Sequence, residues 1–181
     1  MQTSSPSTTN DSTQSTGPNE LHALTSAVAT AFSRRGWTLA LAESCTGGLL
    51  AASLTDLAGS SQWFERGYVT YSNAAKAACL QVSPMLIEAE GAVSEAVASA
   101  MALGAQLSSG VTAAISITGI AGPGGGTAEK PVGTVCFGWA VERADASNHI
   151  TTATAHFIGE RQSVRQQAVV FALRGLLQSI A

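Results

Sequence analysis

The sequence predicts an α/β fold: a single three-layer α/β/α domain built around a mixed, mostly parallel sheet. Two patterns predict it. Segments with apolar residues at helical spacing alternate with short apolar or β-branched runs, the order expected of a sheet covered by helices on both faces. Near the C-terminus two strand-like runs, 132–141 and 149–157, follow one another across a polar segment. That pair reads as a hairpin, which makes the sheet mixed. The 181 residues, 45% of them hydrophobic, suffice for one well-formed core and offer no obvious second one.

Residues 1–18 contain only polar residues, Gly and Pro after Met1. Such a segment has nothing to bury and is expected to be a disordered tail outside a domain spanning 19–181. It lacks the cationic start and apolar core of a signal peptide. Leu21, Leu24, Val28, Ala31 and Phe32 then mark a first helix, about 19–35, closed by Gly36. Trp37 to Ala42 reads as a buried strand. Glu43 to Gly48 is a small polar turn, and a helix is expected from about 46 to 57. After a break at 58–61, Arg66 to Tyr71 has the β-branched and aromatic character of a strand. Ser72-Asn73 is a natural start for a short Ala-rich helix carrying Lys76. Ser83-Pro84 opens another, with Pro at the first helical position. Ser94 caps a longer one to about Ser109. Val111 to Ile117 is a strand and Gly119 to Pro131 a Gly/Pro-rich loop. The two late strands follow, and 160–180 is a closing helix.

Composition narrows the function classes. Only 12% of residues are charged, the net charge is −3, and there is no Lys/Arg run. Nucleic acid is therefore not expected as a partner. Little charge combined with many Ala and Gly residues suits tight packing and a homo-oligomer. No run is long and apolar enough to span a bilayer, so no membrane association is expected. Cys45, Cys79 and Cys136 are odd in number, far apart and free of any CxxC spacing. His22, His149 and His156 form no ligand cluster with them. Neither a disulfide framework nor a zinc site is expected, and a reducing cytoplasm fits best.

Ligands of α/β sheets bind at the carboxyl ends of strands, and three polar clusters fall at such ends. In Glu43-Ser44-Cys45-Thr46-Gly47-Gly48, a hydroxyl at a strand-to-helix turn can act as nucleophile while neighbouring N–H groups hold an oxyanion. Equally, Ser44 and Thr46 read as helix caps. The turn lacks the G-x-S-x-G pattern, and no histidine is close in sequence. Tyr71-Ser72-Asn73 with Lys76 is the second cluster. A lysine made neutral by burial can replace histidine as the base, with Tyr71 relaying the proton. Read as ordinary residues, Lys76 is a solvated helix position and Tyr71 a sheet-packing aromatic. The third cluster runs from Thr118 through Gly119, Gly122, Gly124, Gly125 and Gly126. Its backbone amides can cradle an anion or belong to a surface loop. No Walker A or dinucleotide fingerprint is present. Arg161, after Gly159-Glu160, can fork onto a phosphate or face solvent.

Five motifs together resemble one family. They are Ala42-Glu-Ser-Cys-Thr-Gly-Gly48, Trp63-Phe-Glu-Arg-Gly-Tyr-Val-Thr-Tyr-Ser-Asn73, Gly91-Ala-Val-Ser-Glu95, Thr118-Gly-Ile-Ala-Gly-Pro123 and Glu129-Lys-Pro-Val-Gly-Thr134. In order and content they resemble the CinA C-terminal domain family, collinearly from about Leu21 to the end. The resemblance implies deamidation of nicotinamide mononucleotide to nicotinate mononucleotide and ammonia, a small-molecule reaction without metal or cofactor. It implies Ser44 as nucleophile with Tyr71 and Lys76 moving the proton. Cys45, Thr46, Gly47, Gly48, Asn73, Thr118, Gly119, Gly124, Gly125 and Arg161 are then the substrate-facing residues. Two other classes stay open: a non-catalytic interaction module, and a cysteine hydrolase using Cys45, whose pKa a helix N-terminus would lower.

Overall fold

A computed structural model describes residues 18–181. The expected disorder of 1–18 falls outside these residues except at Pro18, which is the first residue of the first helix. The elements are α1 (Pro18–Arg35), β1 (Leu39–Glu43), α2 (Leu49–Thr55), β2 (Phe64–Val69), α3 (Asn73–Leu80), α4 (Pro84–Glu90), α5 (Glu95–Ser109), β3 (Ala113–Gly119), β4 (Thr134–Glu142), β5 (Asn148–His156) and α6 (Arg161–Ser179). The sheet order is β2-β1-β3-β4-β5. Strand β1 pairs parallel with β2 and β3, while β4 runs antiparallel to both β3 and β5. Four strands therefore point one way and one opposes them. The fold is the expected three-layer domain with a mixed sheet.

Element boundaries shift by a few residues from the sequence reading. The strand expected at 111–117 lies at Ala113–Gly119, and that expected at 66–71 lies at Phe64–Val69, leaving Thr70 and Tyr71 in a loop. The helix expected from 46 starts only at Leu49, because the chain turns through Gly47 and Gly48 at φ 57° and 92° first. The helix starts read from Ser72, Ser83-Pro84 and Ser94 stand where expected. Ser72 Oγ accepts the N–H of Ala75 and Ser94 Oγ that of Val97.

The sheet sorts its side chains by size. Alternation along each strand sends successive residues to opposite faces. One face carries Leu39, Leu41, Ile115, Ile117, Phe137 and Trp139, which pack with Val28 and Phe32 of α1, Leu50 and Leu54 of α2, and Val164, Val169 and Leu173 of α6. Phe137 lies 4.6 Å from Phe171 of α6 between ring centroids. The other face presents Ala40, Ala42, Ala114, Ser116, Gly138 and Ala140, which the ladder sets side by side. Helix α5 lies close against that small-residue face. Ser116 Oγ donates to Ala98 C=O at 2.6 Å, and a Cβ on Gly138 would sit 2.6 Å from the same carbonyl. Helices α3 and α4 pack onto α5 through Leu80, Val82, Ile87, Val97 and Met101.

Candidate active site

Strands β1, β2 and β3 are parallel, so Glu43, Val69 and Gly119 end at one edge of the sheet. Strand β5 runs in the same direction, and its exit delivers the start of α6 there as well. The three polar clusters and Arg161 thus meet at the carboxyl end of the sheet.

Strand alternation divides the work of Glu43 and Ser44. Glu43 belongs to the face covered by α2, and Ser44, one residue on, reaches α3 on the other. The Glu43 carboxylate is 1% exposed and accepts three backbone N–H groups at the start of α2. They are those of Gly48 at 3.0 Å, Leu50 at 3.1 Å and Ala51 at 2.8 Å. A carboxylate at the positive end of a helix satisfies donors that would otherwise lack partners. The reading of Ser44 and Thr46 as caps is therefore corrected: Glu43 does that work, and the N-cap residue Gly48 offers no side chain. Thr46 Oγ1 is buried without a hydrogen-bond partner among the described residues.

Ser44 is left free to face Lys76. The Lys76 ammonium donates to Ser44 Oγ at 3.0 Å and to Thr70 C=O at 2.9 Å. Lys76 is 1% exposed, so the solvated-helix reading does not hold. No carboxylate pairs with it among the described residues. Burial without a carboxylate partner lowers its pKa from the ordinary lysine value, outweighing the opposing effect of Cys45. Cys45 behaves opposite to expectation. Burial pushes its thiol up to about 11, outweighing its backbone hydrogen bond, so the thiolate needed by a cysteine nucleophile is disfavoured at neutral pH.

The turn leaves few amides for a ligand. The N–H of Ser44 goes to Ile117 C=O, that of Gly47 to Ser44 C=O and that of Leu49 to Thr46 C=O. Gly48 N–H is on Glu43. Gly47 and Gly48 thus shape the turn with their N–H groups already engaged. Those of Cys45 and Thr46 meet no acceptor in another residue among the described residues, and Cys45 also lines a cavity of about 270 Å³ over Ser44.

That cavity gathers Ser44, Cys45, Tyr71, Asn73, Lys76, Thr118, Gly119, Gly124, Gly125 and Arg161, along with Ala92 and Val93. Thr46, Gly47 and Gly48 do not line it. Thr118 Oγ1 donates to Ala92 C=O at 2.8 Å and so ties β3 to the segment before α5. Tyr71 is 61% exposed rather than packed in the sheet. Its hydroxyl accepts from Arg161 Nη2 at 3.0 Å, while Arg161 Nη1 donates to Gly122 C=O at 2.8 Å. Tyr71 makes no hydrogen bond to Ser44 or Lys76 among the described residues. Helix α3 brings the Lys76 amine to the serine directly.

Two residues of this region escaped the sequence reading. One is Glu43, whose role was signalled by a carboxylate standing between a buried strand and a helix start. The other is Arg165, one turn after Arg161 on α6, whose Nη2 donates to Thr46 C=O at 2.6 Å. Among the described residues no helix is long and apolar enough to cross a membrane.

Comparison with known proteins bears on the whole domain. The family model described as CinA C-terminal domain matches residues 21–180. The chain is 51% identical over 158 residues to the nicotinamide-nucleotide amidohydrolase PncC of Enterobacter agglomerans, covering 87% of this chain and 94% of that protein. It is 49% identical over 160 residues to the protein of the same name from Escherichia coli K12, covering 88% and 94%. The crystal structure of the competence/damage inducible protein CihA from Agrobacterium tumefaciens superposes with a TM-score of 0.83 at 39% identity, covering 91% of this chain and 98% of that one.

Proposed function

The chain belongs to the CinA C-terminal domain family, and from that premise we propose that it is an amidohydrolase converting nicotinamide mononucleotide to nicotinate mononucleotide and ammonia. Relatives about half identical over most of their length carry that activity in their names. The observation that carries the mechanism is the buried contact of Lys76 Nζ with Ser44 Oγ, 3.0 Å long, at the floor of a cavity.

In this reading neutral Lys76 takes the proton of Ser44 as Oγ attacks the carboxamide carbon. The carbonyl oxygen becomes an oxyanion, and the N–H of Cys45, which has no acceptor in another residue among the described residues, meets it from the cavity wall. The Lys76 ammonium then protonates the departing nitrogen, the C–N bond breaks, and ammonia leaves an ester on Ser44. Water, deprotonated by the same amine, cleaves that ester to release the nicotinate carboxylate and restore the serine hydroxyl. Lys76 touches Ser44 directly, so the proton needs no relay. Tyr71, held by Arg161 at the mouth, contacts the substrate instead. The Gly119–Gly126 loop and Arg161 hold the ribose phosphate.

The test is ammonia release from nicotinamide mononucleotide and from free nicotinamide. The nucleotide is expected to have by far the larger kcat/KM, because its phosphate supplies binding energy that the reacting centre can use. Equal values for the two substrates, or no release from the nucleotide, would overturn this reading.

A further inference from the structure

A second cavity of about 860 Å³ adjoins the first and shares Arg161 and the Ala121–Gly122 backbone with it. The bond-making and bond-breaking steps proposed at Ser44 do not use it, and Ser44 and Lys76 do not line it. Its walls are of two kinds. Leu49, Pro123 and Val132 give an apolar side. Arg161, Gln162, Arg165 and Gln166 give a polar side, two pairs spaced one turn apart along α6.

Arg165 has spare capacity there. Its Nη2 is committed to Thr46 C=O, while Nη1 has no partner among the described residues. Glu160 also lines the cavity, yet it pairs with neither guanidinium. The side chains of Gln162 and Gln166 are exposed and make no hydrogen bond among the described residues. The N–H groups of Arg161, Gln162 and Ser163 in the first turn of α6 are also without acceptors among the described residues, since Glu160 provides no side-chain cap. Two guanidiniums, that of Arg161 already on Gly122 C=O and Tyr71, and two amides thus line a space larger than a lone anion needs, with Leu49, Pro123 and Val132 as its apolar lining. That combination matches an anion with several oxygens on an organic body.

We propose that this cavity is a phosphomonoester site with Arg165 as its anchor. The phosphate has two possible sources, and the choice between them rests on the nucleotide-amidase reading, whereas the site itself does not. Either the substrate's own phosphate passes over Arg161 into the cavity, or a separate phosphorylated molecule binds beside the substrate.

The experiment is calorimetric titration of the full chain with ribose 5-phosphate, for wild type and for Gln166→Glu. The substitution adds a negative charge at an exposed position of the cavity and leaves the Arg165–Thr46 contact in place. Saturable binding weakened fivefold or more by Gln166→Glu is expected. No saturable binding to wild type, or equal binding by both proteins, overturns the proposal. Binding is read without turnover, so a chain that fails to release ammonia still tests the site. Two arms separate the sources. If the substrate's phosphate occupies the cavity, ribose 5-phosphate inhibits ammonia release competitively. If a separate ligand does, ribose 5-phosphate still binds Ser44→Ala protein saturated with nicotinamide mononucleotide.

Discussion

Lys76 Nζ donates to Ser44 Oγ across 3.0 Å in a site where the lysine is 1% exposed and paired with no carboxylate among the described residues. A charged amine is costly in such a place, and a neutral amine is a base. In the proposed mechanism, the same burial that lowers stability prepares the proton acceptor.

Ser44→Ala should lower kcat for ammonia release by about three powers of ten or more, as loss of a nucleophile does, while the circular dichroism spectrum and Tm stay near those of wild type. Cys45→Ala should keep most of the activity, because burial pushes the Cys45 thiol up to about 11. The reverse result, with Ser44→Ala active and Cys45→Ala dead, would make the cysteine the nucleophile.

Activity should rise with pH along an acidic limb. Burial lowers the Lys76 pKa, so the neutral base forms on going up in pH, at values below those of an ordinary lysine. Lys76→Arg keeps a positive charge but cannot give up its proton. It should therefore be as inactive as Lys76→Ala at every pH. Near-wild-type turnover by Lys76→Arg, with the same pH profile, would remove Lys76 from the role of base.

Stability should carry the same signature with a definite sign. Because the folded pKa of Lys76 is lowered, the unfolded chain binds that proton more tightly. The burial cost is complete below the folded pKa and disappears as pH rises from there to the ordinary lysine value. Wild type should gain stability over that window, whereas Lys76→Met, lacking the group, should not. The Tm of Lys76→Met relative to wild type should therefore fall as pH is raised from neutral toward 10. A Tm difference independent of pH would show that the amine carries no burial cost.

Glu43→Gln should cost about 2–3 kcal/mol in stability, since three backbone donors at the start of α2 depend on that carboxylate and bonds to charged groups are among the stronger ones. An amide has one acceptor oxygen, and its NH₂ faces an N–H. The turn that sets Ser44 against Lys76 is then loosened, so kcat should fall tenfold or more with a smaller change in KM. Urea unfolding and steady-state kinetics together check this. Unchanged stability would mean the turn holds itself.

Much of the site was legible because its residues carry their chemistry in short motifs. Ser44, Lys76, Thr118 and Arg161 were named from the turn, the Ala-rich helix, the loop and the last helix, and all four line one cavity. The boundary of α2 was misplaced because apolar spacing continues through a turn whose positive φ values at Gly47 and Gly48 stop the helix. The direct contact of Lys76 with Ser44 was not legible, because chain position gives no distance between residues 32 apart.

The sequence alone determined the order of helices and strands, the mixed sheet and the polar clusters at its carboxyl ends, since these follow from local periodicity and turn chemistry. Tertiary structure decided the rest. Parity along β1 sent Glu43 to α2 and Ser44 to α3. The small-residue face of Ala, Ser and Gly let α5 sit tightly on the sheet, and the packing of α3 against α5 carried Lys76 to the serine. Whether a lysine is a solvated cation or a buried base depends on what surrounds it in space, and those neighbours come from distant parts of the chain.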